Sequence, residues 1–390
     1  MNTISNLPYF ETEADKLGNL ADPTQVRNVL NFLAGPGSAI KDVFVMSHGW
    51  KNTILDARSL YARLFTQFSI ALDAYAAPGV TPGQAAVIGF LWPSIEFADP
   101  TLIPGGASLG SDPGAQREFV DAVRSQLTNR QDEEGQQHLF GIDGDELLQR
   151  LRTATLPDDP EEGGAAGLGD LAGEIRNAAE RFLNTATYYL MKDRAGTVGR
   201  GAMARMLGQI QDAFPAVRIH LAGHSFGCRV ITAAASANAR PVASMTLLQA
   251  AFSQNSFSPD FDSTHLPGGF RNVIAERKCA GPILISHTIR DTDVGIAYAV
   301  ASRLAGQESS AIGDAGDLYG GLGRNGALHT PEASDGDLLT AGAAYSFTAG
   351  RIANLRADDI IQAHSDVVKP ETAWALVAAA GLGRGVQIHE

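Results

Sequence analysis

A pentapeptide, Gly223-His224-Ser225-Phe226-Gly227, stands between a β-rich apolar run (217–221) and a helix-like run of small residues (228–238). A serine hydroxyl is a weak nucleophile unless it is lifted clear of the backbone and set beside a base. A sharp strand-to-helix turn does the lifting, but it forces the serine into a strained backbone. Side chains two residues before and after would then collide, and Gly223 and Gly227 remove those collisions. The following helix aims its free N–H groups and positive dipole end at any oxyanion formed there. The spacing predicts a nucleophile elbow, and an elbow needs a sheet behind it.

The rest of the chain supplies one. Apolar runs at Asp42–Ser47, 85–92, 218–221, 244–250 and 282–288 are each continuous rather than alternating, and a shorter one begins at 344–347. Strands buried on both faces read this way. Helical patterns follow, at 56–68 and 296–304 for example, which predicts a mostly parallel central sheet with helices on both faces. Residues 9–15 and 18–20 read as an antiparallel edge hairpin. Between residues 94 and 198 the pattern breaks. Stretches rich in Gly, Pro, Ser and Asp (100–114, 156–169) alternate with amphipathic segments (115–127, 145–152, 171–191). The expectation is an α/β core made of residues 1–93 and 199–390, with a helical cap or lid insertion at 94–198. The glycine-rich stretch 306–340 reads as a long loop; no G-K-S/T follows it, so it is not a phosphate-binding loop.

Composition narrows the partners. The chain has 390 residues, 44% of them hydrophobic, and a formal charge of −13. An acidic surface repels phosphate backbones and anionic headgroups, so nucleic acid is excluded and a membrane is unfavoured as a partner. Two cysteines, Cys228 and Cys279, make no disulfide framework, and no zinc-type spacing occurs. The first ten residues lack a basic segment followed by an apolar one, which sets a soluble cytoplasmic protein as the expectation.

A serine elbow requires a base, an orienting acid and oxyanion donors, all at the carboxyl ends of strands. Ser47-His48-Gly49-Trp50 ends the first long strand. The Trp50 N–H can pair with that of Phe226, Gly49 allows close approach, and His48 is expected to fix the loop rather than act as base. The strand near 282–288 ends in R-D-T-D. Asp291 lies nearer the strand end, and Asp293 is better placed to cap the next helix. His364, in A-H-S-D, follows the last strand and completes the order Ser, Asp, His.

These motifs, with F-L-W-P-S at residues 90–94, resemble those of the α/β-hydrolase superfamily, of the serine esterase/lipase type. Residues 188–199 resemble a segment found in a poorly characterised bacterial branch of it. The resemblance covers most of the chain from residue 42 apart from the insertion. It implies Ser225 as nucleophile, Asp291 as acid, His364 as base, the Trp50 and Phe226 amides as oxyanion hole, and no cofactor or metal. The expected activity is hydrolysis of small or medium carboxylic esters. A non-catalytic binding protein on the same fold, or a lipase or phospholipase, are the alternatives.

Overall fold

The computed structural model describes residues 2–95, 191–261, 265–291, 294 and 320–390. The expected cap helices before residue 191, the helix at 296–304 and Asp293 lie outside them. Five strands come where the apolar runs predict: β3 (Asp42–Ser47), β4 (Ala85–Leu91), β5 (Arg218–His224), β6 (Ser244–Leu248) and β7 (Ile283–His287). They are flanked by β1 (Asn2–Ile4) and β2 (Leu7–Glu13) on one side and by β8 (Ala333–Asp337) and β10 (Ile352–Arg356) on the other. Together they make a nine-stranded sheet in the order β1-β2-β4-β3-β5-β6-β7-β10-β8. Only β1–β2 pairs antiparallel.

Three local readings are corrected. The edge hairpin is β1–β2, turned by Ser5 and Asn6 with φ of 46° and 70°; positive φ at both central residues suits a tight hairpin turn. Residues 9–13 belong to β2, and the segment 18–20 meets that stretch through an isolated Ala14–Leu20 bridge rather than a hairpin ladder. The stretch 306–340 contains the short helix Leu322–Asn325 and strand β8. The run at 344–347 leads into β9 (Ser346–Thr348), which leaves the main sheet to pair with β11 (Gln387–His389). The strand preceding His364 is instead β10, whose sequence I-A-N-L-R hides its burial behind Asn354. That side chain is buried because it accepts from the Ala327 N–H at 2.9 Å and donates to the Ala327 carbonyl at 3.2 Å and to Asp335 at 3.0 Å.

Two helices support the sheet near the site. Ile54–Tyr75 starts with a capping box between Thr53 and Asp56 and buries Tyr61, Leu64, Phe65 and Phe68, the two phenylalanines packing edge to face on Phe44 of β3. Full burial of each such side chain contributes about 1.5–3 kcal/mol. Helix Phe226–Ala237 lies under β5 and β3 and is buried over its first ten residues. Residues 191–198 are helical, and their Lys192 carbonyl accepts from Arg229 Nε at 2.8 Å. No described helix is long and apolar enough to cross a membrane.

Register decides where the strands end. Ser47 stands opposite Gly223, Leu248 opposite His224, and Ser286 opposite Leu248. The carboxyl ends of β3, β5, β6 and β7 therefore finish side by side, and the segments leaving them share one rim.

Candidate active site

At that rim Ser225 adopts φ 57°, ψ −124°, a conformation that costs a non-glycine residue on the order of 1–3 kcal/mol. A Cβ on Gly227 would fall 2.1 Å from the Ser47 carbonyl oxygen, and one on Gly223 would fall 2.7 Å from the Cys228 nitrogen. Both clashes are with backbone, which cannot rotate away. The two glycines are what allow the turn to close this tightly.

His364 arrives from the segment after β10. Its Nε2 lies 2.8 Å from Ser225 Oγ and its Nδ1 lies 2.8 Å from Asp291 Oδ2. A carboxylate oxygen only accepts, so Nδ1 carries the proton and Nε2 presents its lone pair to the serine hydroxyl. Asp291 is wholly buried, and its second oxygen accepts the Val294 N–H at 3.0 Å. It thus serves a helix start as well as the histidine, the two roles that the sequence divided between Asp291 and Asp293.

The His364 segment is braced. Its backbone carbonyl accepts a hydrogen bond from Nε2 of His224 at 2.9 Å, and the two rings stand 5.0 Å apart. Burial, reinforced by the nearby His364 ring, pushes His224 down to about 3, so it stays neutral with its proton on Nε2. Asp358 joins the acid turn to the base loop. Its Oδ1 accepts from Thr288 Oγ1 at 2.9 Å and from the Ile289 N–H at 3.0 Å, while its carbonyl accepts from Arg290 Nε at 2.8 Å.

On the other side of Ser225 lies the loop after β3. A Cβ on Gly49 would sit 2.8 Å from Ser225 Cβ, so this backbone packs directly on the serine. The Trp92 N–H donates to His48 Nε2 at 3.3 Å, which leaves the ring proton on Nδ1, 3.0 Å from the Gly49 carbonyl. Trp92 Nε1–H also donates to the His48 carbonyl at 2.9 Å, and the two rings stack at 5.6 Å. Burial brings His48 down to about 4. His48 therefore holds the loop as a neutral ring and does not touch Ser225 Oγ. The Trp50 and Phe226 rings meet edge to face at 6.0 Å, so the two residues expected to supply oxyanion donors are neighbours.

Sequence reading missed Gln249 and Asp358. Gln249 has a positive φ of 47°, is fully buried, and donates from Nε2 to Asp291 Oδ2 at 3.2 Å. Neither belongs to a motif; the one available signal was a buried-strand run ending in a glutamine.

A second Ser-His-Asp chain exists. His220 Nδ1 lies 2.8 Å from Ser244 Oγ and its Nε2 lies 3.0 Å from Asp42 Oδ1. Distances alone do not separate it from the first. However, Asp42 and Ser244 begin their strands, at the end of the sheet opposite the ligand-binding rim of open α/β folds. Ser244 has ordinary strand geometry, all three side chains are buried, and Asp42 is also paired with Arg218 at 2.7 Å. This set is an internal polar bridge between strands. Among the described residues no cluster of three or more His, Cys, Asp or Glu is arranged to hold a metal.

No curated protein and no solved structure matched the chain. A family model described as alpha/beta hydrolase fold matches residues 190–276, which span β5, the turn at Ser225 and β6. That match and the mostly parallel nine-stranded sheet agree on an α/β-hydrolase fold.

Proposed function

We propose that the protein is a serine hydrolase that cleaves carboxylic esters through an acyl-enzyme. The observation that carries this reading is the unbroken line from Asp291 Oδ2 through both nitrogens of His364 to Ser225 Oγ, each link 2.8 Å. As Ser225 Oγ attacks the ester carbonyl, its proton passes to His364 Nε2, and Asp291 stabilises the imidazolium. The tetrahedral oxyanion is held by the Trp50 and Phe226 amides, each such donor contributing about 3 kcal/mol to the transition state. Collapse breaks the bond to the leaving alcohol, which takes the proton from His364 Nε2. Water then attacks the acyl-enzyme, giving its proton to His364, and the acid leaves as Ser225 recovers its own.

Small or medium soluble esters are the proposed substrates, because the chain is strongly acidic and its insertion is rich in Gly and Asp rather than greasy. The test uses a fluorophosphonate probe and a chain-length series of nitrophenyl esters. Wild type should be labelled at Ser225 and should turn over at least one ester, and Ser225→Ala should do neither. Folded wild type that resists the probe and matches Ser225→Ala on every ester would overturn the reading in favour of a binding protein on a hydrolase fold.

A further inference from the structure

At the end of β6 the chain makes an expensive choice. Gln249 combines a left-handed backbone, disfavoured for any residue with a Cβ, with a fully buried amide whose two N–H groups and oxygen must find partners or lose stability. An apolar residue in relaxed geometry would serve packing better. Every polar group of Gln249 that points toward the acid turn is nevertheless matched. Nε2 donates to the Gly323 carbonyl at 2.9 Å and to Asp291 Oδ2 at 3.2 Å. Oε1 accepts from Ser286 Oγ at 2.9 Å, and the Gln249 backbone N–H donates to that same Oγ at 3.2 Å.

The amide cannot be turned over. Its nitrogen faces a carbonyl and a carboxylate, which only accept, so reversing it would set oxygen against oxygen at two places. Gly323 is drawn in to complete the arrangement. A Cβ there would lie 2.5 Å from the Gln249 carbonyl carbon and 2.8 Å from its Cα, so only glycine brings this carbonyl close enough. The Gly323 oxygen also accepts from the Thr288 N–H at 3.0 Å, which ties the same point to the turn carrying Asp291.

We infer that Gln249 is a positioning residue for the acid–base pair, fixing Asp291 Oδ2 and sharing its charge with His364; the inference rests on the ester-hydrolase reading above. Among the described residues, Oδ2 has two hydrogen-bond partners, His364 Nδ1 and Gln249 Nε2. Other charged or titratable groups bear on the pair less directly. The His224 ring flanks that of His364, and Arg324 donates to the backbone carbonyls of Ile289 and Asp291. Asp358 holds Thr288 and Ile289, and an Asp366–Lys369 ion pair sits farther along the base loop. When the Gln249 donor is removed, the negative charge on Oδ2 is balanced by His364 alone. The imidazolium is then held more tightly and releases its proton at higher pH.

The experiment is the pH profile of kcat/KM on a nitrophenyl ester for wild type, Gln249→Met and Ser286→Ala, each first checked for a cooperative thermal transition. Gln249→Met keeps the side-chain length and lacks the donor. It should lower kcat on the order of tenfold, because the Asp291 carboxylate that orients His364 loses a hydrogen bond holding it in place, with KM little changed. Its acid limb should move upward by about half a pH unit. Ser286→Ala leaves Oε1 without its donor and should move the limb the same way by less, so it carries the test if Gln249→Met does not fold. A purely structural Gln249 would lower the thermal midpoint and leave the profile in place. Profiles superimposable on wild type in the folded variants, with wild type labelled by the fluorophosphonate, would overturn the role of Gln249 alone. Wild type that the probe does not label ends the esterase reading, and this inference with it.

Discussion

Replacing Asp291 by asparagine tests the proposed mechanism most directly, because the two side chains have the same shape and differ only in what they donate and accept. Three N–H groups converge on the Asp291 carboxylate: His364 Nδ1 and Gln249 Nε2 on Oδ2, and Val294 N on Oδ1. An asparagine offers one oxygen and one NH2. With its oxygen toward His364 and Gln249, the NH2 meets the Val294 backbone N–H, which cannot turn. With its oxygen toward Val294, the NH2 meets the Gln249 amide, fixed by Gly323 and Ser286, and forces His364 to carry its proton on Nε2. That tautomer presents a donor to Ser225 and cannot take its proton. Either pose leaves at least one buried donor unsatisfied, at a cost of about 1–3 kcal/mol of stability. The pose with the wrong tautomer is catalytically dead, and the expected loss in kcat is on the order of 10⁴, equivalent to about 5 kcal/mol of transition-state stabilisation. Steady-state kinetics on the best nitrophenyl ester, with urea unfolding alongside, measures both. A folded Asp291→Asn enzyme within about tenfold of wild type would refute the expected loss and show that the asparagine oxygen faces His364, keeping the productive tautomer.

Acid should weaken the fold through its buried histidines. His48 and His224 are held near 4 and 3 in the folded protein, against an ordinary value of 6.5. Between pH 6.5 and about 4 the unfolded chain takes up protons that the folded one refuses. Stability is therefore complete above 6.5 and declines as pH falls, by about 1.4 kcal/mol per unit for each histidine. Urea midpoints at pH 7 and pH 5 should differ accordingly, His48→Gln should flatten the slope, and equal wild-type midpoints would contradict the assignment. Gly227→Ala should lose activity and at least about 3 kcal/mol of stability, because its Cβ would meet the Ser47 carbonyl at 2.1 Å; an active, wild-type-stable variant would show that the elbow can relax.

Much of the site was legible because each piece announces itself locally. G-H-S-F-G needs its glycines whatever surrounds it, and a continuous apolar run such as 85–91 can only be a buried strand or a buried helix. Residues that ended such runs were therefore good candidates, and His48, Ser225, Asp291 and His364 were all found at that rim. Strand β10 was missed because its burial depends on Asn354, whose partners Ala327 and Asp335 come from elsewhere in the chain. The expectation for 306–340 failed similarly, since Ala333–Asp337 is a polar, mostly exposed edge strand whose pairing to β10 leaves no hydrophobic trace.

The sequence by itself determined the chain's layered α/β plan and which serine stands on the strained strand-to-helix turn, because backbone strain at Ser225 and strand burial on two faces are short-range demands that residue type must meet. Only tertiary structure decided which of two Ser-His-Asp chains sits at the ligand rim, and that Gln249 and Asp358 hold the acid turn in place. Those facts depend on register between strands and on hydrogen bonds between segments far apart in the chain, 74 residues for Gln249 to Gly323 and 139 for His364 to Ser225. A polar side chain carries no mark of its partner until folding brings the two within bonding distance.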